Sequence, residues 1–338
     1  MSVQQAGGTP SLLALPGASE ELRARLSAGL DAVNALIEAR VDHEDAFIAQ
    51  ASGHLVAAGG KRFRPLLTLL AAELGTGITP EVVAAAAGVE LTHLASLYHD
   101  DVMDEAVLRR GTPSANAAYG NSTAILVGDL LFGTASDIVA DLGPEAVKIQ
   151  AQTFIRLCSG QIRDDRPCPE GADPVDYYLG VLADKTGVLI ATSARYGAMF
   201  GGCSPEVVEV MREFGERLGV AFQLADDLID ISSDAQTLGK TPGTDLREGK
   251  RTLPVLHALA STEAADDRLK SLLVGDLSAD EALAEALGLL RAHPAMAAAR
   301  AETYAVAERA QSVLDALPDS DAKTALRALA AGVVSRVS

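Results

Sequence analysis

The chain has 338 residues, a formal net charge of −18 and a hydrophobic fraction of 48%. This negative charge argues against nucleic acid as a partner, because phosphate backbones are bound by a surplus of Lys and Arg. Only 4% of the residues are aromatic and there is no Trp, so the core must consist mainly of Ala, Leu and Val, a composition that favours helices.

A polar segment opens the chain, and helical periodicity follows it. Residues 1–18 are rich in Gly, Pro, Ser and Gln, and we expect them to form a disordered lead-in. From Glu20 onward, apolar residues recur at helical spacing, and later segments of roughly 12 to 30 residues repeat the pattern between Gly- and Pro-containing breaks. Alternating strand patterns and long polar linkers are missing from the sequence. We therefore predict an all-α fold with one helical domain over residues 19–338.

The three cysteines indicate a reducing compartment. Cys158, Cys168 and Cys203 show neither metal-ligand spacing nor an even disulfide set. The N-terminus lacks the basic and then apolar pattern of a signal peptide, and no window of 18 or more residues is both apolar and uncharged. We therefore expect a cytoplasmic protein without a transmembrane segment.

The stretch HDDVMDE, residues 99–105, places three carboxylates at the end of an apolar helical run. Asp100 and Asp104 share one helix face, and Asp101 lies about 100° around the axis. Like charges this close destabilise a helix, and near its C-terminal end they also oppose the helix dipole. We therefore expect a positive partner from outside the helix. Paired carboxylates suit Mg²⁺, which takes oxygen ligands together with substrate phosphate oxygens.

A second cluster repeats the same spacing. The stretch GVAFQLADDLIDI carries Asp226, Asp227 and Asp230 on another apolar helix. Two copies of one unusual pattern, each on a helix of the buried type, are difficult to explain as solvated faces. By contrast, we interpret Asp164 and Asp165, in the Pro- and Gly-rich stretch IRDDRPCPEGADP, as part of a surface loop.

Positive residues that could match these carboxylates occur in several short motifs. Arg offers a planar fork for phosphate oxygens, and Lys offers a point charge. Each cation alone would be interpreted as solvated, but together with two acidic motifs they predict a diphosphate site. The groups are Lys61, Arg62 and Arg64 in GGKRFRP, Arg109 and Arg110 after the first acidic motif, Lys185 beside Thr186 in ADKTG, Lys240 in LGKTPGTD, and Lys250 and Arg251 in REGKR.

In this order and spacing the motifs resemble the trans-isoprenyl diphosphate synthases, also called polyprenyl synthetases, and among them the bacterial medium- and long-chain members. The resemblance runs from about residue 50 to residue 255 and rests on GGKRFRP, HDDVMDEAVLRRG, GDLLF, DKTG, FQLADDLID and GKTPGTDLREGKRTLP. It implies an isoprenoid-synthase-type helical bundle around a deep central cavity, with the two acidic motifs facing each other. It also implies a homodimer.

The resemblance assigns a role to each motif residue. The catalytic set is Asp100, Asp101, Asp104, Asp226, Asp227, Asp230 and Lys185. Within it, Asp100, Asp104 and Asp226 would hold Mg²⁺, with three ions per site when substrate is bound. The allylic diphosphate would be bound by Arg109, Lys185, Thr186, Gln223 and Lys240, and isopentenyl diphosphate by Lys61, Arg64, His93 and Arg110. We also place Lys250 in the substrate-binding set. On sequence alone, His93, Thr186 and Gln223 would be interpreted as polar core residues.

The implied reaction is the Mg²⁺-dependent, head-to-tail condensation of isopentenyl diphosphate onto an allylic diphosphate, farnesyl or geranylgeranyl, to give an all-trans polyprenyl diphosphate. In the family, bulky residues about one turn before the first Asp stop the growing chain early. Here those positions are Ala95 and Ser96, both small, so we expect a product of about C35 to C50 that is delivered to a membrane.

Three alternatives stay open at this point. A shorter-chain geranylgeranyl diphosphate synthase would share every motif. A class I terpene cyclase would also ionise an allylic diphosphate, but two full DDxxD motifs, GGKRFRP and the low aromatic content weigh against it. A partner subunit of a two-component synthase would commonly have lost its acidic motifs, and both are intact here.

Overall fold

The computed structural model describes residues 15–232 and 242–337, and these residues are mainly helical with almost no strand, as predicted. Lys240 lies outside the described residues. A two-stranded antiparallel hairpin joins β1 (Leu108–Arg109) to β2 (Thr112–Pro113). The helices are α1 (Glu20–Val41), α2 (Ala46–Ala57), α3 (Phe63–Ala72), α4 (Pro80–Met103), α5 (Ala115–Tyr119), α6 (Asn121–Ala140), α7 (Pro144–Asp164), α8 (Pro174–Leu182), α9 (Val188–Phe200), α10 (Pro205–Ser232), α11 (Thr244–Arg247), α12 (Leu253–Leu259), α13 (Asp267–Leu273), α14 (Asp280–Ala292), α15 (Pro294–Val313) and α16 (Asp321–Val334).

Helix starts follow the capping residues of the sequence. The Ser19 hydroxyl accepts a hydrogen bond from the Leu22 amide at 3.1 Å and caps α1. At α4, the Thr79 hydroxyl accepts from the Val82 amide at 3.3 Å, and Pro80 occupies the first turn, where its missing N–H costs nothing. Leu15 is buried, so packing already includes the end of the segment that the sequence predicts as a disordered lead-in.

Contacts divide the chain into two compact units. The first unit comprises Met1–Gln152, Thr192–Arg212 and Ala316–Leu329, and the second comprises Thr153–Ala191, Glu213–Asp315 and Ala330–Ser338. The first acidic motif belongs to the first unit, and the second motif belongs to the second unit. A single domain over residues 19–338 stays a prediction.

In the first unit, α4 is the central helix and packs against α1, α3 and α6. Small residues allow this close packing, since a Cβ atom added at Gly88 would lie 2.9 Å from Val139 Cγ2 on α6. Tyr98 is fully buried on α4, and its hydroxyl donates to the Ala51 carbonyl of α2 at 2.6 Å. These contacts fix the helix whose last turn carries the first acidic motif.

In the second unit, α12 packs against α15 and also contacts α8, α13 and α14. The apolar side of α10 is buried through Leu218, Leu224 and Leu228, so the helix presents its acidic motif from a fixed position. A π-helical turn, Ala183–Gly187, joins α8 to α9. Such turns are rare and frequently occur at functional sites.

The length and composition of helix α6 bear on our expectation that the chain has no transmembrane segment. In the part of the chain that the structure describes, α6 is the one helix with sufficient length and apolar composition. One such helix is weak evidence, because the core helix of a globular protein passes the same test.

A buried ion pair links the start of α3 to the middle of α4. Arg62 Nη1 lies 2.9 Å from Glu90 Oε1, and both side chains are largely shielded from solvent. We expect Glu90→Gln to lower the free energy of unfolding by about 3 kcal/mol, because it leaves the Arg62 charge buried without its carboxylate. Chemical denaturation at fixed protein concentration measures this loss.

The matched control is Glu285→Gln, which breaks the exposed pair of Glu285 with Arg268. It should not change the denaturation midpoint measurably, since exposed pairs contribute little. Equal effects of the two variants would show that the Arg62–Glu90 pair has no special structural role.

Candidate active site

The three carboxylates of the first acidic motif occupy different environments. Asp101 is fully buried and accepts a hydrogen bond from Arg109 Nε at 2.6 Å. Its other oxygen, Oδ2, is buried and accepts no hydrogen bond from any described residue. Asp104 is exposed at the C-cap of α4, and Asp100 is partly exposed. The outer two carboxylates are therefore accessible to a ligand, whereas the middle one is held inside the protein by Arg109.

Burial and Arg109 act in opposite directions on the pKa of Asp101. Burial raises the pKa of this carboxyl, whereas the hydrogen bond and charge of Arg109 lower it. Arg109 was assigned to the allylic diphosphate from the family resemblance, and in this structure its guanidinium contacts Asp101. That assignment stays a prediction.

The loop GGKRFRP holds the guanidinium of Arg110. Arg110 Nη1 donates to the Leu55 carbonyl at 3.2 Å and also to the carbonyl of Gly59. Gly60 has φ +144°, a backbone conformation that favours glycine, and a Cβ atom added there would lie 2.8 Å from Arg110 Cζ. Gly59 and Gly60 therefore help to position Arg110, which is predicted to bind isopentenyl diphosphate.

His93 lies among the arginines of the same unit. Its pKa is lowered well below the ordinary value, first by burial and then by the positive charges of Arg64, Arg110, Arg109 and Arg62. The imidazole therefore stays neutral near pH 7 and presents one donor and one acceptor nitrogen. Arg64 and Arg110, which are also predicted to bind isopentenyl diphosphate, therefore lie near enough to His93 to affect its charge. Arg62 differs from its neighbours, because it pairs with buried Glu90 instead.

The second acidic motif shows the same division. The Asp226 side chain is 39% exposed, and its Oδ1 lies 3.0 Å from Arg336 Nη2. Asp230 is buried and accepts the Asp245 amide at 3.2 Å. Asp227 is also buried, and its two oxygens accept hydrogen bonds from other side chains. Asp226 is therefore the one accessible carboxylate of this motif.

A hydrogen-bond chain runs through the buried Asp227. Gln223 Nε2 donates to Asp227 Oδ1 at 3.0 Å, and the Tyr178 hydroxyl donates to Asp227 Oδ2. Thr186, in the π-helical turn, donates to Gln223 Oε1 at 3.2 Å. Thr186 and Gln223, both assigned to the allylic diphosphate, therefore meet in the structure. Burial, followed by the negative charge of Asp245, raises the pKa of Asp227 to about 8.

Two residues that contact the second acidic motif, Tyr178 and Arg336, were not predicted from the sequence. Tyr178 is adjacent to Tyr177 in DPVDYYLG, and no local pattern distinguishes the two tyrosines. Arg336 lies in the last turn of the described chain, in an Ala- and Leu-rich region without a distinctive polar motif. Their partners Asp227 and Asp226 are far away in sequence, so neither contact produces a local signal.

The interpretation of Asp164 as part of a surface loop is wrong. Asp164 is the last residue of α7, and its side chain is 15% exposed. Its Oδ2 atom lies 2.8 Å from Lys185 Nζ and 3.0 Å from Lys250 Nζ. Asp165, which is 52% exposed, contacts Lys250 at 3.0 Å. Two predicted substrate-binding lysines therefore meet at one carboxylate.

In each acidic motif, taken by itself, the accessible carboxylates suit a divalent metal ion that binds together with its substrate. Among the described residues, no group of three or more His, Cys, Asp or Glu side chains could hold a metal by itself. Mg²⁺ does not require such a cage, since it commonly takes one or two carboxylates and completes its shell with water and phosphate oxygens. Asp100, Asp104 and Asp226 supply oxygen donors of this kind.

Comparison with known proteins decides the family. Residues 45–290 match the family model for polyprenyl synthetases. The chain belongs to the polyprenyl synthetase family. A nonaprenyl diphosphate synthase from Mycobacterium tuberculosis is 48% identical over 93% of this chain and 94% of its own length.

Solved structures of polyprenyl and geranylgeranyl synthases are also similar to this chain. A geranylgeranyl pyrophosphate synthase from Corynebacterium glutamicum, crystallised with calcium and isoprenyl diphosphate, is 43% identical with a TM-score of 0.84 over 94% of this chain and 98% of its own. A decaprenyl diphosphate synthase from Rhodobacter capsulatus is 36% identical with a TM-score of 0.86 over 94% and 99% of the two chains.

Membership confirms the resemblance seen in the sequence motifs. The chain is a trans-polyprenyl diphosphate synthase, a prenyltransferase of isoprenoid biosynthesis. Enzymes of this family use isopentenyl diphosphate and an allylic diphosphate together with divalent metal ions. A class I terpene cyclase is thereby set aside.

The raised pKa of Asp227 predicts how the metal-free enzyme responds to pH. An unfolded Asp has a pKa near 3.9, so between about pH 4 and pH 8 the folded protein keeps a proton that the unfolded chain releases. The stabilisation is present at low pH and is lost as the pH rises through about 8. In EDTA, the melting temperature should therefore fall more steeply between pH 5 and pH 8 in the wild type than in Asp227→Asn.

Asp31→Asn, at an exposed position of α1, is the control and should keep the wild-type slope. Parallel slopes for the wild type and Asp227→Asn would contradict the raised pKa.

Proposed function

We propose that this enzyme elongates farnesyl or geranylgeranyl diphosphate with isopentenyl diphosphate to a long all-trans polyprenyl diphosphate of about C35 to C50. The observation that carries the proposal is the division of each acidic motif into accessible and buried carboxylates, together with the cation cluster around His93. The 48% identity to a nonaprenyl diphosphate synthase supports a long product.

In this proposal, Asp100, Asp104 and Asp226 hold Mg²⁺, with three ions per site when substrate is bound. When bound, the ions neutralise the negative charge that develops on the departing diphosphate. The accessibility of these three carboxylates supports the assignment, since a metal ligand must present an oxygen to the site. The buried Asp101 and Asp227 act instead by fixing the helix ends on which their neighbours lie.

The chain's cations and polar groups bind the two substrates. We assign the allylic diphosphate to Arg109, Lys185, Thr186, Gln223, Lys240 and Lys250, and isopentenyl diphosphate to Lys61, Arg64, His93 and Arg110. The four residues assigned to isopentenyl diphosphate hold the double bond of this substrate in register with the allylic carbon. This positioning lowers the entropic barrier to attack. The released diphosphate accepts the proton lost after condensation, so no dedicated protein base is required.

Product length depends on the space below the first acidic motif. Ala95 is fully buried on α4, and Ser96 is partly exposed with its hydroxyl donating to the His93 carbonyl at 2.8 Å. In this proposal, the small side chains one turn before Asp100 do not block a growing hydrocarbon, whereas a bulky residue there would. A geranylgeranyl product is the second candidate, because the Corynebacterium glutamicum synthase is 43% identical to this chain.

The first test is an incubation with Mg²⁺, labelled isopentenyl diphosphate and one allylic primer at a time, with the products sized after dephosphorylation. We expect a ladder that ends in one long polyprenyl alcohol. Asp100→Ala should lower the rate at least a hundredfold, since it removes a metal ligand that acts in the transition state. Asp31→Asn is the control and should keep the wild-type rate. A single product of four isoprene units would establish the shorter-chain candidate.

A second test addresses the length-determining positions. Ser96→Phe should shorten the product, because a bulky ring fills the space that the hydrocarbon needs, and Ala95→Phe should do the same. Ala95 is fully buried, so its replacement should also lower the stability by about 1 to 3 kcal/mol. Val83→Phe, near the start of the same helix, is the control. An unchanged product in both variants would place the end of the cavity elsewhere.

We also propose a homodimer that buries the outer face of α6. Three apolar side chains on this helix, Ile125, Leu126 and Leu130, are exposed, and Leu126 is 67% exposed. Contiguous exposed apolar surface of this kind commonly marks a protein interface. This interface also accounts for the apolar composition of α6. We further propose that the enzyme acts in the cytoplasm and delivers its water-insoluble product to a membrane.

Light scattering after gel filtration tests the dimer. Leu126→Glu should shift the wild-type dimer to a monomer, because the interface would bury an unpaired charge. Val274→Glu, at a 63% exposed apolar residue after α13, is the matched control and should stay dimeric. A dimeric Leu126→Glu variant would contradict the proposed interface.

A further inference from the structure

Two lysines share one carboxylate oxygen at the end of α7. Both Lys185 Nζ and Lys250 Nζ lie within 3.0 Å of Asp164 Oδ2. The two ammonium nitrogens are therefore within about 6 Å of each other. Like charges at this distance repel one another, so the carboxylate is required to keep the lysines together in the absence of substrate. The charges of both lysines in turn lower the pKa of Asp164, against the opposing effect of burial.

The backbone of α7 is built to bring Asp164 to this position. A Cβ atom at Gly160 would collide with the backbone nitrogen of Lys185, so glycine permits direct contact between α7 and the π-helical turn. Asp164 follows Gly160 by four residues and therefore lies on the same helix face, one turn further along. The contact at Gly160 thus sets Asp164 beside the side chain of Lys185.

Two arginines on α7 fix the residue that precedes Lys185. Arg156 Nε lies 2.8 Å from Asp184 Oδ1, and Arg163 Nη1 lies 2.9 Å from Asp184 Oδ2. Both oxygens of Asp184 are therefore held by the helix that also carries Asp164. This arrangement restricts the backbone of the turn, so the direction of the Lys185 side chain depends mainly on Asp164.

We propose that Asp164 is a positioning residue that holds Lys185 and Lys250 as a pair for the diphosphate group of the allylic substrate. The inference rests on the proposed function, which assigns both lysines to that diphosphate. A diphosphate presents several oxygens close together, so two ammonium groups already held near each other bind it with a smaller loss of side-chain entropy. Asp165 is not equivalent, because it contacts Lys250 and is half exposed.

Kinetics of Asp164→Asn test this role. The substitution keeps the shape and removes the charge, so the lysines should repel each other and spread apart. We expect the KM for the allylic diphosphate to rise at least tenfold, the KM for isopentenyl diphosphate to stay within twofold, and kcat to change less than threefold. Asp165→Asn is the matched control and should change the allylic KM less than threefold.

Calorimetry with Mg²⁺ and inorganic diphosphate separates this inference from the proposed function. Asp164→Asn should weaken binding of diphosphate about tenfold relative to the wild type, and Asp165→Asn should not. The comparison holds even if the wild type fails to incorporate isopentenyl diphosphate, a failure that would overturn the proposed function alone. Unchanged or tighter binding by Asp164→Asn would overturn the positioning role, since the carboxylate would then be irrelevant or a competitor of the diphosphate.

A second variant covers the case in which Asp164→Asn does not fold. Asp164→Glu keeps the charge and moves it by one methylene group. We expect a raised allylic KM with kcat retained, because the lysines would follow the displaced carboxylate. An allylic KM equal to the wild-type value, or a fall in kcat alone, would contradict the proposal.

Discussion

A carboxylate can be buried in a protein only if other groups of the chain compensate its charge or if it binds a proton. This constraint governs both acidic motifs. The second Asp of each motif is buried, Asp101 against Arg109 and Asp227 against Gln223 and Tyr178. The carboxylates on each helix thereby fall into two groups, those buried against other residues of the chain and those left accessible. The positive partner that the sequence leads us to expect from outside the helix is therefore partly another residue of the same chain.

Backbone strain is concentrated near the same motifs. Among the described residues, the non-glycine residues with positive φ are Arg62, Glu105 and Arg110, all within or close to the predicted site motifs. Such conformations cost of order 1–3 kcal/mol each and persist only where surrounding contacts determine them. Arg62 is held by Asn34 and Glu90, and Arg110 is held by backbone carbonyl groups. Two of the three strained residues are thus arginines held by contacts within the chain, and their charges help to lower the pKa of His93.

Motif order and helical periodicity were enough to predict the all-α class and the family. They also predicted a cation group near the first acidic motif, because Arg109 and Arg110 follow that motif directly in the chain. The partners of the buried carboxylates could not be predicted in this way. Tyr178 and Asp227 are 49 residues apart, and Asp164 and Lys250 are 86 apart. Asp164 lies in a polar, proline-rich stretch that has the composition of a loop, and only the tertiary contacts with two lysines reveal its environment.

We propose that each acidic motif uses its accessible carboxylates for metal and its buried ones for structure. Anomalous scattering from crystals grown with Mn²⁺ and inorganic diphosphate tests this claim most directly. We expect manganese peaks within bonding distance of oxygens of Asp100, Asp104 and Asp226, with Asp101 still bound to Arg109 and Asp227 still bound to Tyr178. A manganese ion coordinated by Asp101 or Asp227 would contradict this claim.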